Sequence, residues 1–178
     1  MLQLVGINHR VVDPSVAEEA HPDEDPVEHV LRLSRLKARS VAQTLGEGFV
    51  LGADTIVVLE GEILGKPSDQ SDARSTLRRL CGRWHEVYTG LALVDAASGK
   101  EVQGFEHSYV KIRPLSDAEI SAYIATGEPM DKAGSYGIQG FGAAIVERVN
   151  GCYFNVVGLP LVRLLYLLRD LEKICGGC

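Results

Sequence analysis

The sequence is short of the features that would take it out of the ordinary globular class. No apolar run approaches the ~20 residues that a membrane-spanning helix needs, so no membrane partner is expected. Basic residues are the minority: 18 Lys and Arg against 24 Asp and Glu leave a net charge of −6. That balance argues against a nucleic-acid polymer as partner. It does not exclude a single nucleotide, whose phosphates need only a few local cations. Cysteines number only four. Cys81 and Cys152 stand alone, and Cys175-Gly-Gly-Cys178 closes the chain without a nearby histidine to complete a tetrahedral zinc set. The pair reads as a tail with two reduced thiols, not as part of a disulfide scaffold. The opening residues, MLQLVGINHRVV, lack the basic, apolar and small-residue succession of a secretory signal, so a cytoplasmic protein is expected. Internal repeats, low-complexity tracts and linkers are also missing.

What remains is enough for one domain. Of 178 residues, 46% are hydrophobic and 24% charged, and a chain of that size buries roughly two-thirds of its unfolded surface. The first helix is expected to open at Asp25-Pro26-Val27-Glu28, with Asp25 as cap, Pro26 in the first turn and Glu28 completing a capping box. Val27, Val30, Leu31, Ser34, Ala38, Val41 and Leu45 recur at helical spacing until Gly46. Phe49 to Leu59 is apolar and β-branched, a buried strand; Glu60-Gly61 turns it into a short arm from Glu62 to Leu64. A helix from about Ser71 to Leu80 follows, then strands over Glu86–Val94 and Val102–Ile112. Ser116-Asp-Ala-Glu119 is a second capping box, starting a helix that ends near Gly127. Residues 132–142 are glycine-dense and read as a loop lying close to something; strand character resumes over Ala143–Val149, and Pro160 opens a leucine-rich terminal helix. Alternating strands and helices imply an α/β domain.

Several residues can carry chemistry. Asp54 interrupts an apolar strand, and a carboxylate buried without partners is costly. Either it emerges at the strand end, or a cation and donors compensate it. Lys66, between Gly65 and Pro67, sits on a constrained turn and suits a phosphate oxygen or plain solvent. Lys37 lies on the first helix among Arg32, Arg35 and Arg39, a basic face that is expected to be mostly solvated. Glu18 and Glu19 belong to an acidic segment running to Asp25 that reads by default as a hydrated loop; with Asp54, one of them can help hold a divalent ion on phosphates. Gln139 offers a donor and an acceptor from the glycine-rich loop. Arg83-Trp84-His85 can stack on a base, or the lone tryptophan can be core.

Taken in order, Gly52-Ala-Asp-Thr55, Gly65-Lys-Pro67, Thr89-Gly90, Asp131-Lys-Ala-Gly-Ser-Tyr-Gly-Ile-Gln-Gly140 and Val156-Val-Gly-Leu-Pro160 resemble the Maf-like nucleoside triphosphate pyrophosphatases, over about residues 2–168. The resemblance implies an α/β fold related to the inosine triphosphate pyrophosphatases: a curved mixed sheet with flanking helices forming two lobes around a cleft. It implies hydrolysis of a nucleoside triphosphate to the monophosphate and pyrophosphate, with Mg²⁺ or Mn²⁺. Asp54 takes the place of the active-site carboxylate, as proton acceptor or as metal ligand. Glu18 falls where the family has an acidic metal or water ligand. Lys37 and Lys66 match the family lysines that neutralise phosphate charge. Thr55 and Gln139 match the dTTP and UTP subgroup, and a neutral amide suits the O4 and N3–H edge of thymine or uracil. CTP and modified pyrimidine nucleotides stay open, since an amide can rotate. A homodimer is a family-level expectation. The alternative function is a nucleotide-binding or regulatory module without catalysis, linked to septum formation. An aspartyl-phosphate phosphatase is disfavoured, because that chemistry wants a second Asp where this chain has Ile56.

One departure stands out. Family members begin with a short strand, an S-x-S-P-R-R loop and a helix; here Met1 to Ile7 looks like the end of that helix, and nothing resembles S-P-R-R. The expectation is a single domain over 1–178 without that strand and loop. Two alternatives follow: a true start further upstream, or a product without its main phosphate clamp. The second would cost most of the activity and leave a strand edge prone to aggregation.

Overall fold

The computed structural model describes residues 1–19, 21 and 24–176. Cys178 of the terminal pair lies outside them, as do Ala20, Pro22 and Asp23 of the acidic segment; Cys81, Cys152 and Cys175 are free thiols. The α/β expectation holds. The elements run α1 (Pro26–Leu45), β1 (Phe49–Leu59), β2 (Glu62–Leu64), α2 (Gln70–Leu80), β3 (Trp84–Asp95), β4 (Glu101–Ile112), α3 (Asp117–Ala125), β5 (Val146–Gly151), α4 (Tyr153–Val157) and α5 (Leu161–Cys175). The five strands form one sheet in the order β2-β1-β3-β4-β5. β1 pairs antiparallel with β2 through Val57–Leu59, and β4 pairs antiparallel with β5 through Ser108–Ile112, with an irregularity at Lys111/Ile112. No helix among the described residues is long and apolar enough to cross a membrane.

Local chemistry sets the helix ends. Asp25 caps α1 by accepting from the Val27 amide at 2.8 Å, with Pro26 in the first turn, and Gly46 closes the helix in the left-handed region. Asp69 caps α2 through the Ser71 and Asp72 amides. α3 carries the full reciprocal box between Ser116 and Glu119.

The chain divides into two compact units. The first takes residues 1–54, 89–106 and 158 onward; its core joins Ala38, Val41 and Ala42 of α1 to Val50 of β1 and Ala92 and Val94 of β3. The contact between α1 and the sheet is closer than side chains normally permit. A Cβ on Gly52 would stand 2.1 Å from the Ser34 carbonyl oxygen and 2.7 Å from the Ala38 amide nitrogen, and one on Gly90 would stand 2.3 Å from the Val30 carbonyl oxygen. Two missing side chains thus let the helix backbone rest on the strands. β2 covers only the last three residues of β1, so among the described residues Phe49–Asp54 has no strand on that side. An apolar groove of about 660 Å³ runs there, lined by Phe49–Ala53, Leu164, Leu168 and the extended stretch from Ile7 to Val12.

The second unit takes residues 55–88 and 107–157. Its core packs Ala73, Leu77 and Leu80 of α2 and Ile120, Tyr123 and Ile124 of α3 against Val57, Leu59, Val87, Val110 and Ile112. The glycine-dense stretch forms short 3₁₀ turns at Ala133–Ser135 and Gly140–Ala144, so β5 starts at Val146, three residues later than the strand character of Ala143–Val149 suggests. Ala143 and Ala144 are taken up by the second turn, which the Ile145 amide closes by donating to the Gly142 carbonyl at 3.0 Å, and the Glu128 carboxylate holds the start of that turn through the Phe141 and Gly142 amides.

Candidate functional site

Alternate residues of a strand share a face, and on β1 the buried face shows Val50, Gly52, Asp54 and Ile56. Gly52 admits α1; two residues on, Asp54 meets that helix where Lys37 follows Leu36 round its edge. The Lys37 ammonium donates to Asp54 Oδ1 at 2.7 Å and lies 2.8 Å from Glu18 Oε1. Three residues singled out from the sequence therefore converge within the first unit. Asp54 is 7% exposed, and its second oxygen, Oδ2, is buried with no hydrogen-bond partner among the described residues. Burial alone would lower the Lys37 ammonium, but the two carboxylates outweigh it and raise it above the ordinary lysine value.

Glu18, Glu19, His21 and Asp25 of the acidic segment are exposed, as a hydrated loop would have them, but Glu24 is not. The Glu24 side chain is 9% exposed; it takes the Arg32 guanidinium at 2.5 and 2.7 Å and the His29 ring at 2.9 Å. The Arg32 hydrogen bonds outweigh the cost of burial, and with His29 they hold Glu24 at about 2. Arg32 also donates to the Glu19 carbonyl, so the pair ties down the strand of chain that carries Glu18. The rest of the basic face is likewise engaged: Arg35 and Arg39 both pair with Glu101. Sequence spacing carried no sign of these long-range partners.

The other predicted residues lie in the second unit. Thr55 follows Asp54 on β1 and is half-buried. Lys66 is exposed on its turn, and the Gly65 carbonyl accepts from the Gly134 amide at 3.0 Å, which stitches that turn to the loop bearing Gln139. Gln139 is exposed. Trp84 is 46% exposed and so is not core, whereas its neighbour His85 is 3% exposed. His85 Nε2 lies 2.6 Å from the Tyr136 hydroxyl, anchoring the same loop from inside.

Burial holds His85 at about 4, against an ordinary 6.5. The unfolded chain therefore binds a proton between pH 6.5 and 4 that the native protein does not, and stability falls as the pH is lowered through that window. The full effect is about 3 kcal/mol, at about 1.4 kcal/mol per tenfold in proton affinity. Urea unfolding at pH 7 and pH 4.5 should show this loss in the wild type and a flatter response in His85→Gln. An unchanged slope in the variant would assign the acid limb to other groups.

The described residues include no cluster of three or more His, Cys, Asp or Glu that would hold a metal unaided. Comparison with known proteins adds a family. A sequence profile described as "Maf-like protein" matches residues 1–171. The chain is 48% identical over 172 residues to a protein of Dictyoglomus thermophilum named dTTP/UTP pyrophosphatase, covering 96% of this chain and 89% of that one. Proteins of the same name from Symbiobacterium thermophilum and Aquifex aeolicus are 49% and 44% identical, covering 96% and 99% of this chain and 87% and 91% of their own lengths.

Proposed function

The chain belongs to the Maf-like protein family, and from that premise we propose that it hydrolyses dTTP and UTP to the monophosphate and pyrophosphate, with CTP and modified pyrimidine nucleotides as further substrates. The observation that carries this reading is the Asp54 carboxylate, with one oxygen engaged by Lys37 and the other buried without a partner among the described residues. A buried polar atom with no partner is rare and asks for a ligand.

In the proposed reaction a water oxygen bonds to the α-phosphorus while its proton passes to Asp54 Oδ2. The bond from the α-phosphorus to the bridging oxygen breaks, and pyrophosphate leaves with the electron pair. Lys37 keeps Oδ1 occupied, which leaves Oδ2 as the basic atom, and its charge offsets that of the phosphate oxygens. Lys66 is proposed to contribute a second cation to the phosphates. Gln139 reads the base: its amide gives a donor and an acceptor to the N3–H and O4 edge, while Thr55 occupies the position that sets the subgroup.

Asp54 and Glu18, both on the Lys37 ammonium, are the carboxylates that would hold Mg²⁺ or Mn²⁺ together with phosphate oxygens and water; an ion bound through Asp54 Oδ2 would stand in for the proton-accepting role given to that oxygen above. Such an ion supplies charge neutralisation on the phosphates and a more acidic water. The proposed place of action is the cytoplasm, where soluble nucleoside triphosphates are available.

A panel of nucleoside triphosphates assayed for pyrophosphate release, with Mg²⁺ and with Mn²⁺, tests the reading. Rates for dTTP and UTP are expected to exceed those for dATP and GTP at least tenfold. Saturable dTTP binding without release would instead favour a regulatory module.

A further inference from the structure

Glu128 follows α3 and is used by none of the chemistry above, yet its carboxylate joins Tyr123 of α3 to the glycine-rich loop. Oε1 accepts from the Tyr123 hydroxyl at 2.8 Å and from the Gly142 amide at 2.9 Å; Oε2 accepts from the Phe141 amide at 2.8 Å. The Tyr123 hydroxyl in turn accepts from the Gly137 amide at 3.1 Å. One carboxylate and one phenol therefore pin the backbone two residues before Gln139 and two and three residues after it. The glycines are what let the loop come so close. A Cβ on Gly140, where φ is +62°, would stand 2.3 Å from Glu128 Oε2, and a Cβ on Gly142 would stand 1.8 Å from the Gly137 carbonyl oxygen.

The chemistry of this clamp requires an ionised acid. Every partner of Glu128 is a donor, and a carboxylate accepts at both oxygens. Burial would raise Glu128, but the Tyr123 hydroxyl and the two amides outweigh it and hold it below the ordinary carboxylate value. A glutamine has the same shape but turns an NH₂ toward at least one backbone N–H, and two donors cannot pair.

We propose that Glu128 is a positioning residue for base recognition: by clamping residues 137–142 it presents the Gln139 amide in one place, and discrimination between bases depends on it. This rests on the reading of Gln139 as the base-reading side chain. A loop ordered before binding avoids the entropy cost of ordering when nucleotide arrives, so releasing the clamp weakens recognition of the correct base while leaving the phosphate-handling groups untouched.

The test compares wild type, Glu128→Gln, Tyr123→Phe and Gln139→Ala by kcat and KM for dTTP and GTP, and by inhibition with inorganic tripolyphosphate, which has no base. Glu128→Gln is expected to raise KM for dTTP about tenfold or more with kcat within about threefold, and to lower the dTTP-to-GTP ratio of kcat/KM by a similar factor. Tripolyphosphate inhibition should stay within about twofold. Tyr123→Phe, which removes the bridge to Gly137 and one donor to Glu128 but leaves both backbone amides on that carboxylate, should lower the ratio about threefold, and it decides the matter if Glu128→Gln does not fold. Parallel losses for dTTP, GTP and tripolyphosphate would mean that the clamp only supports the scaffold, and would overturn the proposal. An unchanged ratio in both clamp variants alongside a lowered ratio in Gln139→Ala would also overturn it while leaving the base reading standing. An unchanged ratio in Gln139→Ala would instead remove the base reading itself.

Discussion

Asp54→Asn is expected to fold and to lose about a thousandfold or more of the pyrophosphate release from dTTP. Asparagine keeps the shape of the side chain, and its carbonyl oxygen can still accept from Lys37, which also keeps Glu18 at 2.8 Å. The loss of the charged hydrogen bond should therefore cost about 2 kcal/mol of stability at most. What disappears is the basic oxygen now buried without a partner, and removing a general base typically costs 10²–10⁴-fold, with loss of a cation ligand adding to it. Circular dichroism and thermal melting establish the fold; steady-state release establishes the loss. Release at the wild-type rate would show that Oδ2 takes no part.

Gly52→Ala should be the most disruptive single-methyl change in the first unit. Its Cβ would meet backbone atoms of α1 on two sides, at 2.1 and 2.7 Å, and backbone cannot swing aside as a flexible side chain can. Overpacking of this kind costs about 3 kcal/mol, which lowers the melting temperature by about 6–12 °C in a chain of this length. Activity should fall as well, because a displaced α1 carries Lys37 away from Asp54. Gly65→Ala is the control for stability: nothing lies within 4 Å of its Cβ, so its melting temperature should move by no more than a degree or two. Equal melting temperatures for the two variants would contradict the close contact between helix and strand.

How far these features could be read from the sequence depends on whether the deciding partner is near or far along the chain. β1 and β2 fall where the β-branched run and the Glu60-Gly61 turn put them, and α1 and α3 begin at their caps, because periodicity and capping are local. β5 starts late because a 3₁₀ turn takes up Gly140–Ala144, its first amides held by Glu128, 13 and 14 residues away. The Glu24 side chain of the acidic segment is drawn in from solvent because it finds Arg32, and the basic face is spent because Arg35 and Arg39 find Glu101, 66 and 62 residues on. Lone charges invite a solvated reading when their partners lie that far off. Asp54, Lys37 and Glu18 were legible as candidates from residue type and motif, and Asp54 and Glu18 as partners around a cation, but not the Lys37 ammonium that joins the two. That junction depends on Gly52, a residue whose importance lies in the side chain it lacks. Trp84 misleads for a related reason: at the start of β3 it points outward, and His85 takes the buried place.

The most direct measurement puts binding and turnover side by side: dTTP with Mg²⁺ titrated by calorimetry into wild type and Asp54→Asn, with pyrophosphate assayed in the same samples. Heat of binding within a few-fold of wild type, with no pyrophosphate from the variant, is the predicted result. Pyrophosphate from both proteins at equal rates would contradict it.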